Sequence, residues 1–142
     1  MKEVLEAIRG VFVHTEKKTI LVIDDSELDR KTTSGMLTGR FKVLCATGGR
    51  EGIEMARAHR PDLILLDFMM PDLKGPEVCR LLKDDPRTRD IPVIFLTSMD
   101  TPNHMVDSFE QGAEVYLTKP VSRAELVKQA LFSIETADSQ KE

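Results

Sequence analysis

Asp24, Asp25, Asp67, Thr97 and Lys119 are the residues whose types and spacing could do chemistry together. Each stands at or just past the end of a short apolar run. TILVID ends in Asp24, with Asp25 next; DLILLD ends in Asp67; IPVIFLT ends in Thr97; and Lys119 follows EVYLT. If these runs are strands of one parallel sheet, all five residues meet at its carboxyl edge, where open α/β sheets form their ligand crevice. Three crowded carboxylates repel, and one is pushed toward the neutral form unless a cation sits among them. An all-oxygen site with few protein ligands suits Mg²⁺, which keeps several waters and takes one or two carboxylates plus phosphate oxygens. Lys119 adds a point charge and Thr97 a hydroxyl donor, which together make a clamp for a phosphoryl group. Positioning and charge neutralisation are most of what phosphoryl transfer asks of a protein. The nucleophile would be a carboxylate oxygen, giving an acyl phosphate. Taken singly, each residue has an ordinary structural role, since aspartates cap helices and Lys-Pro is a commonplace pair. The joint placement at four strand ends is what argues for a site.

The elements that must position these residues are legible. Strands are expected over 19–24, 41–45, 62–67, 91–97 and 114–118, and three of these are continuous apolar runs, the mark of strands buried on both faces. Between them lie helical patterns with start signals. Ser26 with Asp29, and Ser122 with Glu125, have the capping-box spacing. Pro76 and Pro102 suit first turns, and Gly112 suits a helix exit. Leu126, Val127, Ala130, Leu131 and Ile134 line one face of a last helix. Alternation of five strands with five helices predicts a doubly wound α/β domain with a five-stranded parallel sheet and helices on both faces. That domain covers 18–136, with a solvated polar tail over 137–142. Residues 1–17 are an extension in which Val4, Leu5, Ile8, Val11 and Phe12 share a helical face. An amphipathic helix over 3–13 would either fold back on its own domain or fray, or make a homodimer or partner contact, because so apolar a face wants cover.

The 142 residues suffice for one domain with a core of its own. Net charge is −4, with no Lys/Arg stripe and no tryptophan, so the chain alone lacks the electrostatic footprint of a nucleic-acid binder. No apolar run approaches membrane-spanning length. Residues 1–10 carry acids and lack a signal-peptide core, which points to the cytoplasm. Cys45 and Cys79 have no metal-ligand spacing and are expected as reduced core thiols. His14, His59 and His104 lie far apart on different elements and are expected to be exposed or capping. The charged run over 83–90 is expected as a solvated loop.

ILVIDDSELDR at 20–30, RPDLILLDFMMPDLKGPEVCR at 60–80, IPVIFLTS at 91–98 and GAEVYLTKP at 112–120 closely resemble the receiver domain of two-component response regulators. The resemblance covers about 18–136. It implies the flavodoxin-like strand order 2-1-3-4-5. It implies Asp67 as phosphoacceptor, Asp25 as a direct Mg²⁺ ligand, Asp24 acting through water, and the backbone carbonyl of Met69 as the remaining protein ligand. Thr97 would swing onto the phosphoryl oxygens and Lys119 would pair with them. Pro120 would follow a cis bond, and Tyr116 would be the switch aromatic, turning into the space that Thr97 leaves. The output surface would be helix four, strand five and helix five, with Met105, Val106 and Phe109 partly in the core; a homodimer could form there too. A histidine kinase or phosphotransfer protein would supply the phosphoryl group, and a downstream protein would read the switch. Met69 and Met99 stand at positions that vary in the family and are less typical there; they would flank the phosphoryl group, hinder water and slow hydrolysis.

Other classes fit less well. A receiver used only as a constitutive binding surface would not need all five site residues. A dehalogenase-type hydrolase wants a second Asp two residues after its nucleophile, where this chain has Met69. A flavin-binding relative of the fold would cradle phosphate after strand one, where Asp24 and Asp25 would repel it.

Overall fold

A computed structural model describes residues 16–99 and 101–141. In chain order the elements are β1 (Thr19–Ile23), α1 (Glu27–Leu37), β2 (Lys42–Ala46), α2 (Gly49–His59), β3 (Leu63–Leu66), α3 (Gly75–Asp84), β4 (Val93–Thr97), α4 (Pro102–Glu110), β5 (Val115–Thr118) and α5 (Arg123–Gln140). The five strands form one parallel sheet in the order β2-β1-β3-β4-β5. The expected α/β architecture and strand order are those observed. The stretch over 3–13, expected as an amphipathic helix, lies outside the described residues.

The helices begin where local chemistry satisfies their orphan N–H groups. Ser26 Oγ accepts from Asp29 N at 3.2 Å to start α1, and Ser122 Oγ accepts from Glu125 N at 3.1 Å to start α5. Pro76 and Pro102 occupy the first turns of α3 and α4. Gly112, just past α4, has φ +102, a left-handed conformation that costs glycine nothing.

Side chains alternate across the sheet and divide the core into two layers. Leu21, Ile23, Ile64, Leu66, Val93 and Phe95 point to the α2–α3 side. Ile20, Val22, Leu63, Leu65, Ile94 and Leu96 point to the α1–α5 side, where Leu37, Leu126, Ala130 and Ile134 cover them. Every residue of β3 and β4 is buried, as their unbroken apolar runs predict.

Four expectations are corrected. Cys45 is exposed, because β2 is an edge strand and its outer positions lack cover; Cys79 is buried. The last helix runs to Gln140, so most of the stretch expected as a tail is an exposed helical end. The 83–90 run is more than a solvated loop: Thr88 is buried with Oγ1 donating to Leu82 O at 2.7 Å, and Asp85 pairs with Arg57 and Arg87, each at 2.8 Å. On α4, Met105, Val106 and Phe109 are exposed, and Ser108 is the one residue that the helix buries.

Candidate functional site

Register decides which residues meet at the carboxyl edge. Ile23 pairs with Leu66, so the next residues, Asp24 and Asp67, emerge side by side from the two central strands. Thr97 pairs with Thr118 on the neighbouring ladder, which puts Lys119 one step beyond Thr97. The sheet therefore gathers five residues that the sequence spreads widely. Asp24, Asp25 and Asp67 each offer a carboxylate oxygen, and these atoms lie within 4.8 Å of one another.

Each acid is held differently. Asp24 is buried and both of its oxygens are engaged: Oδ1 accepts from Ser26 N at 2.9 Å and Oδ2 from Lys119 Nζ at 2.8 Å. Its backbone carbonyl accepts from Arg30 Nη1 at 2.8 Å. Asp25 is exposed. Asp67 is half-buried, and its Oδ1 accepts from Phe68 N at 2.7 Å. Burial pushes the Asp67 carboxyl above the ordinary carboxylate value, with the negative charge of Asp24 adding to the rise. The Thr97 hydroxyl and the Lys119 charge oppose it without cancelling it. Such frustrated ionisation is what a bound cation would relieve.

Lys119 lies closer to Asp24 and Asp29, at 2.8 and 2.9 Å, than to Asp67 at 3.8 Å. Burial alone would lower its titration, but hydrogen bonds to Asp24 and Asp29 and the charge of Asp67 outweigh that, so it is raised. Asp29 was legible only as a capping-box residue. Its backbone N–H does bond Ser26, but its carboxylate turns to Lys119, and Asp24 takes the Ser26 N–H instead. The signal that would have found it is its place on the first turn of α1, immediately after the Asp24-Asp25 pair.

Thr97 is buried, its hydroxyl lowering the titration of Asp67 and accepting from Met99 N at 3.2 Å. Tyr116 points inward: its ring stacks on Phe95 at 5.9 Å, and its hydroxyl donates to the Met99 carbonyl. Phe95 supplies an apolar face and Met99 an acceptor for the inward ring. The Lys119–Pro120 bond is cis. Met69 lies in the loop after Asp67 with its side chain 44% exposed, whereas Met99 packs on the core.

The loop after Asp67 is fixed at both ends. Gly75 N donates to Phe68 O at 2.7 Å, and a Cβ on Gly75 would stand 2.4 Å from the Asp67 carbonyl oxygen, so glycine is required there. Asp72 Oδ1 accepts from Gly49 N at 3.0 Å and Oδ2 from Arg50 N at 2.9 Å. Asp72 thus caps α2, whose own N-cap, Gly48, has no side chain to do so.

A parallel sheet in this order with acids at its switch point matches one family. The sequence model of the response regulator receiver domain fits residues 20–131. The chain belongs to that family, the phosphorylation-linked modules of two-component signalling. PleD of Caulobacter vibrioides is 44% identical over 103 residues, which is 72% of this chain and 23% of PleD. The chain therefore spans less than a quarter of that relative's length. PilH of Pseudomonas aeruginosa is 40% identical over 110 residues, covering 77% of this chain and 91% of PilH. Among solved structures, the receiver domain of the P. aeruginosa sensor histidine kinase PA1611, described with a magnesium ion coordinated in its active-site cleft, aligns with TM-score 0.79. It is 26% identical, over 84% of this chain and 99% of that one. Among the described residues no helix is long and apolar enough to cross a membrane.

Proposed function

We propose that this chain is a cytoplasmic response-regulator switch in which Asp67 takes a phosphoryl group from the phosphohistidine of a histidine kinase or phosphotransfer protein. One Asp67 oxygen attacks phosphorus, the P–N bond breaks, and its electron pair stays on the imidazole nitrogen, which is protonated. The observation that carries this reading is the meeting of three carboxylates within 4.8 Å, with Lys119 and Thr97 beside the half-buried Asp67.

The donor set is all oxygen and short of positive charge, which fits Mg²⁺. Asp24, Asp25, Asp67 and the backbone carbonyl of Met69 would hold the ion. When bound, the ion supplies charge neutralisation for phosphate and carboxylate oxygens. The chain's own groups do the rest. Phe68 N–H orients the Asp67 carboxylate. The Thr97 hydroxyl and the Lys119 ammonium would donate to the phosphoryl oxygens, and Lys119 would have to exchange its bonds to Asp24 or Asp29 for them. The chain would catalyse only its own phosphorylation and dephosphorylation. Close to two added negative charges would favour the arrangement in which Thr97 faces Asp67 and Tyr116 is packed in. The charge would bias a two-state equilibrium toward that arrangement. The readout would be the α4–β5–α5 face, where Met105, Val106 and Phe109 stand exposed and suit a protein partner or a second copy.

Incubating the protein with Mg²⁺ and acetyl phosphate should add one phosphoryl group, read by intact-mass spectrometry. EDTA and Asp67→Asn should each abolish it. Absence of labelling with acetyl phosphate and with phosphohistidine donors alike would overturn the reading in favour of a constitutive binding surface, which the inward Tyr116 would suit.

A further inference from the structure

The α1–α5 side carries a groove of about 1010 Å³, floored by Met36, Val127, Leu131 and Phe132 and bounded by Arg123 and Glu135. Phe132 is 65% exposed, an unusual position for a large apolar ring on the longest helix of the domain. We propose that residues 3–13 of the same molecule seat in this groove as an amphipathic helix, covering Phe132.

Three observations select this occupant. The first is where the preceding chain must leave the domain. Lys18, one residue before β1, pairs with Asp138 near the end of α5 at 3.2 Å. Whatever precedes Lys18 therefore starts one helical turn from Glu135, the near end of the groove. The second is length. The groove follows α5 from Glu135 back to Arg123, about 18 Å at 1.5 Å per residue, and a helix over 3–13 is about 16 Å long. The few residues between Val13 and Lys18 reach roughly 17 Å when extended, more than the gap requires. The third is pattern. Val4, Leu5, Ile8, Val11 and Phe12 fall on one side of such a helix, while Glu3 and Glu6 fall on the other.

The energetics favour the molecule's own groove over a second copy. An isolated helix this short is marginal in water, and Gly10 weakens it further. It needs a surface on which to form. A tether of a few residues presents the segment to its own groove at a local concentration on the order of millimolar, well above ordinary protein concentrations. The groove also adjoins, through Met36, a crevice of about 300 Å³ lined by Asp29, Lys119 and Pro120.

The test uses the full chain with Cys45→Ser, because Cys45 is exposed, and leaves Cys79, which is buried with its thiol pushed up to about 12. Ile8→Cys and Leu131→Cys are added, and a short bismaleimide is applied at low micromolar protein. The expected product is an intramolecularly bridged monomer whose yield survives dilution. In the unmodified chain, amide exchange over 3–13 should be slowed about tenfold or more, and Phe132→Asp or Ile8→Asp should restore fast exchange. Phe132 is mostly exposed, so its replacement does not touch the core. Bridged dimers that fade on dilution would overturn the proposal in favour of a second copy. Fast exchange over 3–13 in every variant, with no bridge, would overturn it outright.

Discussion

Lys119 shows how a single side chain is shared among competing partners. Its ammonium is within hydrogen-bond reach of Asp24 and Asp29 and only within Coulomb reach of Asp67. If Asp29 helps hold Lys119 away from Asp67, then Asp29→Asn should lower the Lys119 pKa, because one of the bonds that raises it is gone. The cost in stability should be small, about 0.5 kcal/mol, since Asp29 is partly exposed and solvent screens the pair. NMR titration of the lysine Nζ resonance reads the first effect and urea unfolding the second. An unchanged titration would mean that Asp29 is a bystander. The meeting of Asp24, Asp67, Thr97 and Lys119 could be inferred from strand ends because parallel strands in register deliver their last residues to one edge. Asp29 could not, because a helix-cap spacing and a lysine partner look the same in one dimension.

At the scale of elements, α2 depends on a residue 23 positions away from its start. The N–H groups of Arg50 and Gly49 hold the Asp72 carboxyl below the usual carboxylate range. A depressed value means that the ionised form is favoured in the folded state. Its stabilisation is therefore complete above the unfolded value of about 3.9 and lost as pH falls through the folded one. Asp72→Ala should cost about 1 kcal/mol at neutral pH, the usual worth of a cap. In urea unfolding at a series of pH values, the gap between the two proteins should close in acid. A gap that persists unchanged below pH ~3 would assign the loss to packing. This cap was not legible, since Asp72 sits in a loop and nothing local points it at Gly49. Legibility failed in the same way wherever the deciding neighbour is remote. Cys45 reads as a core strand residue until the strand order makes β2 an edge. The apolar residues of α4 read as core until the sheet ends at β5 and leaves them uncovered. By contrast β1, β3 and β4 were read well because full burial writes itself into continuous apolar runs.

For the whole molecule, the sheet separates two apolar layers that share no side chains. Ile53 of α2 belongs to one and Ile134 of α5 to the other, and each is nearly or fully buried. Trimming a buried isoleucine to valine typically costs about 0.5–1.5 kcal/mol. Sites this far apart with no common neighbour should add to within about 0.5 kcal/mol. Yet both layers hang on the same strands, so neither can unfold and leave the other intact; Ile23 faces one layer and Val22 the other. Ile53→Val and Ile134→Val should therefore each lower the urea midpoint with the slope unchanged, and the double variant should show the sum in one transition. Two transitions, or a slope that falls in the double variant, would mean that one layer melts alone. The expected single transition follows from placing the acids on central strands: the edge that gathers Asp24, Asp67 and Thr97 is pinned by packing on both faces, so the site persists as long as the domain does.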